Sequence, residues 1–154
     1  MNNSLDRFLI AQERSYDTAL REIRSGRKRS HWMWYIFPQI AGLGMSYTAQ
    51  LYAIKDIEEA RQYIAHPVLG ARLIEISNAL LTLDCSDAAA VMGYPDDLKL
   101  RSCMTLFVQV SDDPVFDAVL AKFYGGTADA RTLELLSLTS VSYTHLTLPT
   151  ILRV

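Results

Sequence analysis

Residues 31–39 read His31-Trp32-Met33-Trp34-Tyr35-Ile36-Phe37-Pro38-Gln39, with large apolar or aromatic side chains on every side of a helix. A helix that is polar on one face can lie on a surface. A segment that is apolar all round has to be enclosed by the rest of the chain. Whatever this sequence folds into must wrap around this run. Ser30 can cap a helix there, and Pro38 ends it. Ile40-Ala41-Gly42-Leu43-Gly44 then reads as a loop or tight turn.

The surrounding chain supplies helices to do the wrapping. Ser4 can cap a helix to about Ser25, in which Phe8, Ala11, Tyr16, Ala19, Leu20 and Ile23 recur at helical spacing before Gly26 stops it. Arg24, Arg27, Lys28 and Arg29 cluster over that stop, where cations complement the helix dipole. Asp56 with Glu59 forms a capping box for a helix to about Ala65. His66-Pro67 breaks the chain, with Pro67 predicted at the first position of a helix carrying Leu69, Leu73, Ile76, Leu80 and Leu83. Ser86 is predicted to cap a short helix closed by Gly93. Asp96 or Asp97 opens one to about Val110, Asp113-Pro114 one ending at Gly125-Gly126, and Asp129 a last one through Leu136. Neither repeats nor low-complexity linkers interrupt this order. The reading is an all-α fold: a single compact domain of about six to eight helices within residues 1–140.

A chain of 154 residues, half of them hydrophobic and 21% charged, suits one domain with a real core. The formal net charge of −2 argues against nucleic acid or an anionic membrane as a partner. No apolar stretch has the length of a membrane span. The start, Met1-Asn2-Asn3-Ser4-Leu5-Asp6, has neither the basic nor the apolar region of a secretory signal. A soluble cytoplasmic protein is expected. Cys85 and Cys103 lack metal-ligand spacing and read as free, buried thiols, with a disulfide as the alternative.

The C-terminal residues 141–154 stand apart. From Ser137 to Thr150 there is no charged side chain, and threonines accumulate. Val141-Ser142-Tyr143-Thr144-His145-Leu146-Thr147-Leu148-Pro149-Thr150 alternates like a strand, yet it also resembles the translation of a transposase adaptor used in short-read sequencing libraries. These residues are expected to be a non-native tail, with the gene's own 3′ end missing, and His145 is set aside as a functional residue.

Several motifs resemble one bacterial family. They are Gly26-Arg27-Lys28, the aromatic run His31 to Gln39, Gly42-Leu43-Gly44, Tyr52-Ala53-Ile54, His66-Pro67-Val68-Leu69-Gly70, Asp96-Asp97-Leu98-Lys99-Leu100-Arg101-Ser102, Thr105-Leu106-Phe107 and Thr132-Leu133. Together they resemble the family known as domain of unknown function 1810, over about Leu5 to Leu136. The resemblance implies a compact, mostly helical fold and no established activity. Some members carry the label calpastatin; an inhibitor of that kind is a disordered chain, unlike this hydrophobic, helix-dense one.

Two regions hold residues suited to chemistry. His31, Trp34 and Tyr35 share a face if the aromatic run is helical. An imidazole beside indole and phenol rings can hold a planar ligand or act as general acid and base, with Gln39 orienting it. The competing reading is a packed core cluster in which His31 and the indole N–H groups satisfy backbone partners. On the helix from residue 97, Leu98, Arg101, Ser102, Thr105 and Gln109 fall within an arc of about 100°. A guanidinium with hydroxyls suits phosphate or carboxylate. The competing reading there is a solvent face with an Asp97–Arg101 ion pair. Lys99 sits about 160° from Arg101 around that helix, so the two cannot grip one anion from it alone.

The leading expectation is a small anionic or nucleotide-like ligand between the two regions. His31 is the candidate acid/base, Trp34 and Gln39 hold the planar part, and Lys99, Arg101, Ser102 and Thr105 supply anion contacts. The alternative is a non-enzymatic interaction module whose motif residues serve packing. No Gly-rich phosphate loop, zinc or calcium spacing, or nucleophile elbow is present, so neither metal nor cofactor is expected. The Arg24–Arg29 cluster without a nucleic-acid fold motif reads as a solvated charge run. Oligomeric state is not legible.

Overall fold

The computed structural model describes residues 5–139. Among them are nine helical elements and no strand; the single β-type contact is an isolated bridge between Ile40 and Ile54. The all-α expectation holds. Three of the nine are no longer than five residues: α2 (Met33–Ile36), α3 (Tyr47–Leu51) and α6 (Ala88–Met92). The longer ones are α1 (Asp6–Arg24), α4 (Ile57–Ala65), α5 (Leu69–Leu81), α7 (Asp96–Val108), α8 (Val115–Tyr124) and α9 (Ala130–Thr139). No described helix is long and apolar enough to cross a membrane.

Helix α5 is the hub, packing on α1, α4 and α8, while α7 lies against α8 and α9. Phe8, Tyr63, Phe107 and Phe116 run through the middle as a chain of ring contacts, with centroids 5.1, 5.4 and 5.9 Å apart. Such tilted and edge-on pairs add about 0.5–1.5 kcal/mol each beyond burial. One polar group crosses this core. The buried Gln12 amide donates to the Tyr35 carbonyl at 2.8 Å and to the Tyr63 hydroxyl at 2.9 Å, and accepts from Arg72 at 3.3 Å. It ties α1 to α2, α4 and α5, and so sets where the aromatic run lies.

Helix ends follow local chemistry, with shifts from the sequence reading. Asp56 caps α4 by accepting from the Glu59 N–H, but the Glu59 carboxylate turns to the Lys55 N–H instead of closing the box on Asp56. At α5 the cap is His66. Its Nδ1 accepts from the Val68 and Leu69 N–H groups and its carbonyl from the Gly70 N–H, which sets Pro67 at the first position after the cap, ahead of the regular helix from Leu69. Asp87, not Ser86, caps α6. Ser30 does not cap α2, which starts at Met33 after Trp32. Gly125 ends α8 in the left-handed region, as expected of a glycine there. Gly70 has a different reason to be glycine: a Cβ would stand 2.1 Å from the Ile64 carbonyl oxygen, where α4 and α5 meet. Ser4, the expected cap of α1, and residues 141–154 lie outside the described residues.

Helix α3 was not anticipated. Ser46 caps it by accepting from the Ala49 N–H, and the segment behind it is pinned by the Arg7 guanidinium, which donates to the Leu51 and Ala53 carbonyls. Cys103 is buried as expected, and burial pushes its thiol well up. Cys85 is not: it is exposed in the stretch before α6, where its sulfur accepts from the Asp87 N–H. Both are free thiols.

Candidate functional site

The aromatic run is enclosed on one side only. Trp32, Met33, Ile36, Phe37 and Pro38 are buried, Trp34, Tyr35 and Gln39 are half-buried, and His31 is exposed. The closed side is organised by Glu22 from the last turn of α1. Its Oε1 accepts from the Arg29 and Ser30 N–H groups and from the Trp32 indole N–H at 2.9 Å, and its Oε2 from the Ser30 hydroxyl. Burial opposes the charge on Glu22, but the bonds from Ser30, Arg29 and Trp32 outweigh it and hold the carboxyl down at about 2. The cluster therefore fixes both Arg29 and the start of the aromatic run.

The open side faces the first half of α7. There Trp34 borders two depressions, besides a minor one of about 10 Å³ that it shares with Gln39, Ile40 and Tyr52. The first, of about 340 Å³, is lined by Lys28, Arg29, His31, Trp34, Tyr94 and Asp96 among others. The second, of about 360 Å³, includes Trp34, Gln39, Gly44, Leu98, Lys99 and Ser102. Gln39 is placed by its neighbours: its carbonyl accepts from the Ile54 N–H at 2.7 Å, leaving the side chain toward the second depression. Gly42, at φ +104°, turns the chain that leads into that wall.

Charge in this groove is organised by Asp96, at the start of α7. Its two oxygens meet Lys28 at 2.9 Å and Lys99 at 3.4 Å. The Lys28 ammonium lies 4.9 Å from the Trp32 ring and that of Lys99 lies 5.3 Å from the Trp34 ring. Each lysine is thus held by a carboxylate and an aromatic face together.

The structure brings His31 and Trp34 together in the first depression, and Trp34, Gln39, Lys99 and Ser102 in the second. Arg101 and Thr105 are elsewhere. Arg101 borders a third depression with Asp87, Asp97, Phe123 and Tyr124, shared with neither His31 nor Trp34. Its ion-pair partner is Asp129 at 4.0 Å, not Asp97. Thr105 is fully buried. Its hydroxyl donates to the Arg101 carbonyl and accepts from the Asp129 N–H, which fastens the start of α9 to α7. Ser102 is buried as well and donates to the Leu98 carbonyl. The polar stripe on α7 is therefore internal at Ser102 and Thr105, half-buried at Arg101, and open to solvent at its two ends, Leu98 and Gln109. The 3.6-residue period put these residues on one arc correctly; it carried no information about what would cover that arc.

Sequence reading assigned no role at this groove to Arg29, Tyr94 or Asp96. Arg29 belongs to the basic cluster immediately before the aromatic run, and that adjacency was the available signal. Asp96 reads as a helix start within the family motif, and its pairing with Lys28, far away in the sequence, is not visible from spacing. Among the described residues, no group of His, Cys, Asp and Glu is placed to hold a metal ion.

The crystal structure of a conserved hypothetical protein from Mycobacterium tuberculosis is similar to this fold. It has a TM-score of 0.85 and 46% sequence identity, covering 86% of this chain and 96% of that one. No curated protein matches the chain. The model of the family described as protein of unknown function, DUF1810, matches residues 2–136. The chain belongs to the DUF1810 family.

Proposed function

We propose that this protein binds a small anionic, nucleotide-like ligand in the groove between the aromatic run and the first half of α7. The observation that carries the reading is Trp34, a half-buried indole bordering two depressions that also contain cationic side chains and an imidazole. Ligand sites tend to be concave, aromatic-lined and furnished with a few polar groups. Trp34 stacks on the planar part and Gln39 orients it. Lys99 meets the anion. Ser102 contributes wall more than charge, because its proton is committed to the Leu98 carbonyl. If the ligand is turned over, His31 is the acid/base. Arg101 and Thr105 have no part in this site.

Thermal shift against a panel of nucleotides, phosphorylated sugars and carboxylate metabolites tests the reading. A ligand at a hundred times its dissociation constant stabilises by about 2.7 kcal/mol. At least one compound is expected to raise the melting temperature of the wild type and not that of Trp34→Ala or Lys99→Ala. A panel with no such compound sinks the proposal.

A second reading, a protein-interaction module, has its own observation. Tyr94 is 80% exposed, Met45 78% and Leu98 43%, and all three rim these depressions. Exposed apolar side chains grouped around a cleft also suit a protein partner. Stabilisation of the chain by a small molecule at this groove would favour the first reading over the second.

A further inference from the structure

We infer that the ligand of this groove carries two anionic groups, one on each side of the planar part that meets Trp34; the inference rests on the ligand reading above and adds its chemical class. The two depressions share Trp34 and Pro95 in their linings. They adjoin at these two residues, with the indole between them. Each lobe alone, at about 340 and 360 Å³, lies at the small end of the range for ligand sites. An elongated ligand lying across Trp34 fills both.

Each lobe brings its own cation. In the His31 lobe this is Arg29, whose backbone N–H is anchored on Glu22 while the residue stays exposed. In the Gln39 lobe it is Lys99, whose side chain is 27% exposed. Lys28 also borders the first lobe, but its side chain is 7% exposed and its ammonium is taken by Asp96 and the Ser30 carbonyl. Asp96 is the acidic side chain in the linings of the two lobes, and its carboxylate sits between Lys28 and Lys99. One carboxylate against Lys28, Lys99 and Arg29 leaves the groove positive, in a chain of net charge −2. An ammonium has three donors, so Lys99 can hold Asp96 and an incoming anion together. A ligand with one anionic group satisfies one lobe and leaves the cation of the other facing water.

A planar ring flanked by two phosphates is the chemistry of a nucleoside 3′,5′-bisphosphate. It is equally that of an internal nucleotide in a single strand, whose base stacks while the phosphates on either side are gripped. The experiment separates these sources. Calorimetry on the full chain would compare adenosine 5′-monophosphate, adenosine 3′,5′-bisphosphate and a trinucleotide, using wild type, Arg29→Ala and Lys99→Ala, with thermal melting to show that the variants fold.

The bisphosphate is expected to bind wild type roughly tenfold more tightly than the monophosphate, the size of one charge-assisted contact. Arg29→Ala and Lys99→Ala should each remove that advantage. A trinucleotide as tight as the bisphosphate assigns the site to a single strand, and a weaker one assigns it to the free compound. Equal binding of mono- and bisphosphate overturns the two-anion inference while leaving the ligand reading intact. No binding of any of the three overturns the inference, and the wider thermal-shift panel then decides the parent reading separately.

Discussion

Trp32 and Trp34 stand two residues apart in one aromatic run and belong to different kinds of environment. Trp32 is 1% exposed, its indole N–H donates to Glu22, and the Lys28 ammonium lies over its ring. The Glu22 carboxylate and the Lys28 ammonium beside it both have partners inside the protein. Trp34 is half-buried, borders two depressions, and has Lys99 over its ring. The two residues share composition, local sequence and even the kind of cation placed over them. What separates them is the side of the run on which α1 ends. Glu22 closes one side with four hydrogen bonds, and among the described residues no comparable cluster surrounds the Trp34 indole on the other. A tryptophan with its N–H satisfied internally is a packing residue. One left as a wall is available to something else.

Truncating the two rings is the most direct way to break this contrast. Trp32→Ala is expected to cost about 3–5 kcal/mol, the usual loss for a fully buried large ring. It also leaves the buried Glu22 carboxylate one donor short. Trp34→Ala should cost less, about 1–3 kcal/mol, because part of its surface already faces water. Urea unfolding of both variants measures the difference. Equal costs would mean that Trp34 holds the fold as Trp32 does, and the groove would lose its central residue.

Acid titration gives the next largest effect and bears on the closed side alone. Glu22 has its pKa depressed from 4.5 to about 2 in the folded protein. A group whose folded pKa lies below its unfolded value contributes stability that is fully present above the unfolded pKa. That contribution fades as pH falls through the folded one. The window is therefore between about pH 4.5 and pH 2. With solvent screening the depression corresponds to about 1–2 kcal/mol at neutral pH. Glu22→Gln should flatten the fall in stability across this window relative to wild type, as read by thermal melts at stepped pH. Parallel curves for the two proteins would show that Glu22 is not the group responsible. Above pH 5 no change in slope is expected from this residue.

Much of the scaffold was legible because it depends on local chemistry. Asp56, Gly93 and Gly125 mark helix ends through their own side chains or lack of one, and that survives any tertiary arrangement. His66 capping α5 was not legible, since imidazole rarely serves as a cap and Pro67 offered a more familiar explanation. The site was half legible. Trp34, His31 and Gln39 stand out by residue type in the aromatic run and Lys99 on the helix of residues 96–108; His31 and Trp34 border one depression, and Trp34, Gln39 and Lys99 a neighbouring one. The Asp96 bridge between Lys28 and Lys99 joins parts of the chain too far apart for spacing to reveal it. The opposite failure occurred on α7. Helical geometry grouped Arg101, Ser102 and Thr105, but whether an arc meets water or another helix is decided by α9, which packs there.

Arg101 gives the smallest expected effect and the sharpest test of which polar residues belong to the groove. A guanidinium at the edge of a depression of about 460 Å³ would ordinarily be the first residue to mutate. Here its closest acidic oxygen is on Asp129, 4.0 Å away, and its side chain is 31% exposed. A loose, partly solvated pair of this kind contributes about 0–1 kcal/mol. The stem packs near Tyr124, whose ring centroid is 5.8 Å from the guanidinium carbon, so truncation removes some contact as well. Alanine favours the helix at this position, which offsets part of that loss. Arg101→Ala should therefore destabilise the protein by under about 1 kcal/mol. It should leave unchanged the response to any ligand whose binding is abolished by Trp34→Ala or Lys99→Ala. Calorimetry with that ligand on all three variants decides the point. Loss of binding in Arg101→Ala with its stability intact would join the third depression to the groove, and Leu98, which borders both the second and the third, would become the hinge between them.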